Sequence, residues 1–388
     1  MPRRSIENEM QLKPEVQSLC DEIRRFVAAE VDPRALEIEE SDAIPADLLQ
    51  QARALGLFGL TIPEQYGGSG LDLAGKCAVE EVMGLTHYGF ATLIGNHTGI
   101  SSTGIVALGN AAQKQKYLPR MASGEWIGCF ALTEAGAGSD PAALRTTAVK
   151  KGDRWIINGE KIYITNAPQA GVFTVMAATD KSKGVKGISA FIVERGSTGL
   201  AVGRNERKMG MRGCHTAPVS FVDCEVPAEN LLGPEGMGYV QAMKTLTQGR
   251  VTLASRCCGM MDRLIAKSAG HMRQRVQGGQ RLADHQGLQW MLADMATARD
   301  AARLLTRRGI ETLMRGERGS LEAGMAKLFA TEALGRVVDA AVQIHGGMGY
   351  MRDAGIEGVF RDARVTRIYE GTSEIQRNII ARELLKDD

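Results

Sequence analysis

A chain of 388 residues, 44% apolar and 24% charged, can bury roughly 75% of the surface its unfolded form exposes and should divide into two or three domains. A peptide hormone, a disulfide mini-scaffold and a disordered tail are excluded. Forty-seven Lys plus Arg against 45 Asp plus Glu leave +2, so no overall field recruits nucleic acid or a charged membrane, and an anionic ligand must be held by local groups.

The start, Met1 to Lys13, lacks the apolar run of an export signal, and the end, Lys386-Asp387-Asp388, carries no lipid anchor. With no import presequence visible, the expectation is a bacterial cytoplasm, the mitochondrial matrix staying open. Val16 to Val31 places Leu19, Ile23, Phe26 and Val27 at helical spacing before Pro33, and Ala46 to Phe58 repeats the pattern ahead of the turn-rich Pro63-Glu64-Gln65-Tyr66-Gly67-Gly68. Val82 to Gln113 contains no Asp, Glu, Lys or Arg and is long enough to span a bilayer. His87, Asn96, His97, Asn110 and Ser101-Ser102-Thr103 within it argue against membrane insertion. A buried helical hairpin, able to wall an apolar pocket, is expected instead.

From Phe130 the pattern changes. Arg154-Trp155-Ile156-Ile157 and Glu160 to Thr165 flank Asn158-Gly159, a strong hairpin signal. Val172 to Ala177, Ile188 to Val193 and Val219 to Val222 add short strands, giving an antiparallel β domain of about 100 residues. Past Gly236 the helical period returns: Leu288, Met291, Leu292 and Met295, then Ala298, Ala302 and Leu305, form one stripe whose alanines let helices approach closely. The expected fold is α+β in three parts: an N-terminal α-helical domain (1–128), a middle antiparallel β domain (129–236) and a C-terminal helical bundle (237–388). Seven cysteines without a Cys-x-x-Cys pair read as reduced thiols, and no His or Cys spacing suggests a metal.

Three segments could carry chemistry. In Cys129 to Asp140 an apolar strand enters a loop with Gly136, Gly138 and Ser139, whose backbone N–H groups could meet a polar ligand or merely make a turn. Strand alternation puts Tyr163 and Thr165 on one face and Ile162 and Ile164 on the other, suiting a flat heterocycle or an ordinary half-buried strand. Glu370 stands just before Ser373, which with Gln376 reads as a capping box, so this acid is either a tunable base or a structural residue.

Taken together, Leu132-Thr133-Glu134-x-x-x-Gly138-Ser139-Asp140, Gln343-Ile344-His345-Gly346-Gly347-Met348-Gly349-Tyr350 and Tyr369-Glu370-Gly371-Thr372 resemble the two signature segments and the catalytic segment of the flavin-dependent acyl-CoA dehydrogenase family, over almost the whole chain. The resemblance implies a C-terminal four-helix bundle and FAD held between it and the β domain. It also implies that Glu370 removes the α-proton of an acyl-CoA while the β-hydride goes to the flavin, with the Glu370 N–H helping to stabilise the enolate. Electrons would pass to electron-transfer flavoprotein, and the assembly would be a homotetramer, a dimer of dimers.

By the same resemblance Phe130, Leu132 and Thr133 contact the flavin ring, Tyr163, Ile164 and Thr165 form its other wall, and Ser139 touches cofactor and CoA. Arg275, Gln343, Gly346 and Gly347 serve a neighbouring subunit's FAD, His285 and Gln286 lie near the cofactor, and Thr372 to Glu374 meet the pyrophosphate. Arg250, Gly371, Gly249 and Ile94 are assigned to the substrate. The sequence departs from the family at Gly278-Gly279 (an aromatic position), Gly358 (Lys or Arg), Thr247 (an acid) and Cys214-His215 (Ser-Asp), and Tyr163 replaces a frequent Trp. Gly249 in place of an alternative base, and the uncharged segment, imply room for a medium or long straight acyl tail, with a short or branched tail as the alternative. A flavin-using relative with other chemistry and a non-catalytic acyl-CoA-binding protein are the remaining readings; retention of the glutamate argues against the first, and retention of base, flavin wall and pyrophosphate arginine together argues against the second.

Overall fold

The computed structural model describes residues 12–386, so the two chain ends considered above lie largely outside the described residues. Helix α1 (Pro14–Phe26) starts on a proline and buries Val16, Cys20, Ile23 and Phe26, one helical stripe. It unwinds through a π turn at Val27–Val31 before Pro33. Then come α2 (Ala35–Ser41), α3 (Ala46–Ala54), α4 (Leu73–Met83), α5 (Tyr88–Asn96), α6 (Thr103–Leu108) and α7 (Ala111–Ala122). The uncharged segment is a kinked run rather than a simple hairpin, because a π turn at His97–Ser101, bent at Gly99, joins α5 to α6. Its His97 is a satisfied core residue: Nε2 lies 3.1 and 3.0 Å from the Phe58 and Met121 carbonyls, and Nδ1 accepts from the Gly128 N–H.

The middle of the chain forms one sheet from β1 (Ile127–Ala131), β2 (Thr147–Lys151), β3 (Arg154–Thr165), β4 (Ala170–Ala178), β5 (Ile188–Glu194), β6 (Leu200–Val202), β7 (Thr216–Pro227) and β8 (Leu231–Leu232), in the order β6-β7-β3-β2-β4-β5-β8, with β1 beside β4. Its pairs are antiparallel except that β1 and β2 run parallel to β4. The hairpin expected at Asn158-Gly159 is not there. Both residues lie inside β3, and the chain reverses earlier, at Gly152-Asp153, between β2 and β3. Gly159 answers a packing need: a Cβ would meet Thr146 Oγ1 at 2.5 Å, and the ladder with β7 slips at this point.

The C-terminal part is built from α8 (Gly238–Gln274), α9 (Gln286–Met314) and α10 (Ser320–His345), followed by α11 (Gly347–Tyr350), α12 (Ile356–Val365) and α13 (Ser373–Leu384). Between α8 and α9, β9 (Val276–Gln277) and β10 (Gln280–Arg281) pair around Gly278-Gly279, both left-handed as a tight two-residue turn requires. The glycines that depart from the family pattern thus make this turn.

The predicted stripe on α9 faces inward, with Met295 and Ala302 buried. One apolar core runs from Cys20, Ile23 and Leu48 through Phe90 to Val251, Leu264 and Leu334, so both helical parts share it; the sheet has its own core around Trp155, Phe173 and Phe191. All seven cysteines are buried and unbridged. No described helix is long and apolar enough to cross a membrane.

Candidate active site

After α12 the chain makes a turn that places Glu370 between the two helical parts. Glu370 and Gly371 both have left-handed backbones (φ 55° and 90°), which costs a non-glycine residue about 1 kcal/mol or more. The turn is clamped. Lys327 Nζ on α10 donates to the Gly371 carbonyl at 2.8 Å, and Gln376 Nε2 on α13 donates to the Gly371 and Glu370 carbonyls at 2.9 and 3.1 Å. Arg250 Nε on α8 reaches the Glu370 carbonyl at 3.5 Å. The expected capping box does not form: Thr372 rather than Ser373 caps α13, Oγ1 accepting from the Ile375 N–H, and the Gln376 side chain is taken by the turn.

The Glu370 side chain points towards α8. Its Oε2 is buried and has no hydrogen-bond partner, and a Cβ built on Gly249 would come within 2.6 Å of it. Burial pushes the Glu370 pKa up, while Lys327, Arg256 and Arg250 pull it down and Glu80 adds to the rise. The preceding Tyr369 hydroxyl meets Tyr88 at 2.5 Å. Below them lies a buried charged group: Arg256 binds Glu80 at 2.7 Å, Lys76 binds Glu80 at 2.7 Å, and Arg256 also reaches Thr92. Ile100, on the π turn, approaches the Gly249 position at 3.5 Å. Ile94 is buried on α5, and at the next residue, Gly95, a Cβ would collide with Arg256 Nη2.

The second cluster is the end of β1 against the end of β3. The Ile162 N–H donates to the Thr133 carbonyl at 2.9 Å, and the buried Lys161 Nζ donates to the Leu132 carbonyl at 3.0 Å and to Glu134 at 2.8 Å. Glu134 also accepts from the Arg145 and Thr146 N–H groups and the Thr146 hydroxyl. Phe130, Leu132 and Thr133 are therefore brought beside Tyr163, Ile164 and Thr165. The simple alternation expected here is broken by a slip between Lys161 and Ile164. Tyr163 adopts φ 57° and stands 65% exposed, while Ile164 is in the sheet core, so Ile164 can offer only its backbone. Ser139 is in the exposed loop that follows.

A third group gathers at the other end of the bundle. His271 near the end of α8 stacks on His345 at the end of α10, centroids 4.5 Å apart, which sets Arg275 close to the loop of Gln343, Gly346 and Gly347. All four are exposed. Gln286 and Glu374 are exposed as well, and His285 is half-buried at the start of α9. Arg275 lies 25 helical positions beyond Arg250, roughly 37 Å along the axis, so it cannot reach Glu370 of its own chain. Among the departures, Thr247 turns its hydroxyl to the Met243 carbonyl, His215 meets the Asp42 carbonyl, and Gly358 sits against Arg361 and Glu39.

Sequence reasoning overlooked Lys327, the carbonyl-holding role of Gln376, the Lys161–Glu134 pair and Tyr88. The first had a visible signal, since Lys327 adjoins the Ala323, Ala326, Ala330 and Ala333 face that α10 buries.

These groups fit FAD. An exposed aromatic ring on a strained backbone is a stacking platform, and added Cβ atoms at Gly136, Gly346 and Gly347 would meet nothing within 4 Å, leaving backbone open to a cofactor. The acyl-CoA dehydrogenase N-terminal, middle and C-terminal domain models match residues 13–125, 129–224 and 236–385. An acyl-CoA dehydrogenase of Bacillus subtilis is 42% identical, covering 94% of this chain and 96% of its own. A short-chain specific acyl-CoA dehydrogenase of Clostridium acetobutylicum is 40% identical, covering 94% and 96%. The butyryl-CoA dehydrogenase structure from Megasphaera elsdenii superposes with TM-score 0.93 at 35% identity, covering 97% and 99%. The chain therefore belongs to the acyl-CoA dehydrogenase family, flavin-dependent oxidoreductases that act on the CH–CH group of an acyl-CoA.

Proposed function

We propose that this chain desaturates short straight-chain acyl-CoA thioesters to trans-2-enoyl-CoA, with Glu370 as the base. FAD, when bound, supplies the acceptor for the β-hydride. Glu370 takes the α-proton through Oε2, and that buried, unpartnered oxygen is the observation that carries the reading. The Glu370 N–H makes no backbone hydrogen bond among the described residues, and so is free to donate to the thioester oxygen as charge develops there. Phe130, Leu132, Thr133, Tyr163 and Thr165 would hold the flavin ring, with Thr372 and Glu374 near its pyrophosphate. Arg275, Gln343, Gly346 and Gly347 would hold the cofactor of another copy, which their separation from Glu370 supports.

The preference for a medium or long tail is replaced by a short one. Gly249 was expected to leave space for the tail, but its vacant Cβ position is occupied by the base's own carboxyl group. Next to Ile94 the Lys76–Glu80–Arg256 group leaves no room even for a methyl at Gly95, which supports a short tail. The short-chain and butyryl-CoA relatives point the same way. Electron-transfer flavoprotein is the proposed electron acceptor, in a bacterial cytoplasm. The exposed Trp290, Leu304, Met348 and Tyr350 support assembly of copies into a tetramer. Initial rates over straight and branched acyl-CoAs test the reading: kcat/KM should peak at butyryl-CoA, and a peak at octanoyl-CoA or longer would overturn the chain-length proposal. Glu370→Gln should keep the yellow colour and lose anaerobic bleaching by butyryl-CoA; bleaching at the wild-type rate would overturn the base.

A further inference from the structure

Lys327 is among the largest side chains wholly shut off from solvent. An ammonium group in such a place is costly unless it is paired and hydrogen-bonded. Its hydrogen bond goes to the Gly371 carbonyl at 2.8 Å, and Glu370 is the foremost of the groups that favour its charge. Glu332, one turn along the same helix, is engaged elsewhere, accepting from the Ser373 hydroxyl at 2.6 Å and facing Arg367 at 3.6 Å. The lysine thus sits beneath a turn with two successive left-handed residues, one of them the glutamate.

We propose that Lys327 is a positioning residue for the base: by holding the Gly371 carbonyl it fixes the left-handed Glu370–Gly371 backbone, which aims the carboxylate into the space beside Gly249. The inference rests on Glu370 being the base. Gln376 shares the grip on Gly371 but is uncharged, so of these two donors to the Gly371 carbonyl it is Lys327 that brings a positive charge near the carboxylate. The charged and titratable groups facing this pair are Arg250, Arg256 and Cys257 on α8, Glu80 on α4, Glu332 on α10, and Tyr369. Burial pushes the Glu370 pKa up. The lysine opposes that, as the leading group pulling the carboxyl down.

The experiment uses the FAD-loaded enzyme and butyryl-CoA, with Lys327→Met, Lys327→Gln and Glu370→Gln measured beside the wild type for flavin content, thermal melting, KM and the pH profile of the bleaching rate. Lys327→Met is expected to lower the rate at neutral pH roughly 100-fold, since a small misplacement of a reacting group costs that much. KM should change less than about threefold, and the acidic limb should move to higher pH. Lys327→Gln, which keeps a donor without the charge, should recover part of the rate while its acidic limb stays displaced. A folded Lys327→Met enzyme with wild-type rate and limb overturns the inference. If the Met variant does not fold, a Gln variant whose limb matches the wild type overturns it equally. Loss of bleaching in Glu370→Gln alongside an unaffected Lys327 variant refutes this inference alone, whereas retained bleaching in Glu370→Gln removes the base reading beneath it.

Discussion

Replacing Gly249 by alanine should separate activity from stability. The added methyl carbon would sit 2.6 Å from Glu370 Oε2, 3.2 Å from its Cδ and 3.5 Å from Ile100 Cγ2. Ordinary contacts between such atoms begin near 3.5 Å, so the carboxyl group must retreat by about 1 Å. It stands at the free end of a side chain, and swinging it off its rotamer costs about 0.5–1.5 kcal/mol. Alanine in a helix interior returns about 1 kcal/mol relative to glycine. Stability therefore stays near the wild type. A 1 Å displacement of the base, however, costs roughly 100-fold in rate, equal to about 2.7 kcal/mol in the barrier. The assay is the anaerobic bleaching rate with butyryl-CoA, with melting and flavin content measured on the same sample. A bleaching rate within threefold of the wild type would show that the carboxylate does not act from its place beside Gly249.

Burial holds the Glu370 pKa above its ordinary 4.5, and in its proposed role the carboxyl group works only when deprotonated. The bleaching rate should therefore fall as pH drops through a value above 4.5, and a rate unchanged from pH 7 down to 4.5 would contradict it. Lys161→Met should destabilise the protein by about 3–5 kcal/mol in denaturant unfolding, because it leaves Glu134 buried without its cation. A loss under 1 kcal/mol would show that the pair is not needed. Arg275→Ala should weaken FAD retention through dialysis while leaving the monomer's fold intact by circular dichroism; unchanged flavin content would count against its role in another copy.

The broad design was legible because it rests on periodicity. The stripe from Leu288 to Leu305 and the short runs of Val172 to Ala177 and Ile188 to Val193 are where the pattern puts them. What misled was local punctuation whose meaning depends on distant neighbours. Asn158-Gly159 resembles a turn, yet the glycine is there because Thr146 packs against it. Ser373 and Gln376 resemble a capping box, yet the amide is claimed by two carbonyls of the preceding turn. Glu370 could be recognised through the family resemblance, but its surroundings could not. Lys327, Arg250 and Tyr88 approach it from 43, 120 and 282 positions away in the chain, and no local pattern encodes such meetings. The tail preference leaned on the same kind of local signal: a glycine marks vacant space without saying which group will take it, and at Gly249 the Glu370 carboxyl group lies against that space.

The core shared by the first and last helices has a consequence for how the protein is made. Glu370 and its holder on α13 emerge from the ribosome among the final residues, whereas α4 and α5 have been waiting since the first quarter of synthesis. Domains tend to form in the order they are translated. Here the first block cannot bury the inner face of α4 until α8 and α9 arrive, so an unfinished chain exposes apolar helix surface and lacks Glu370. With Glu370 in its proposed role, desaturation is confined to complete molecules.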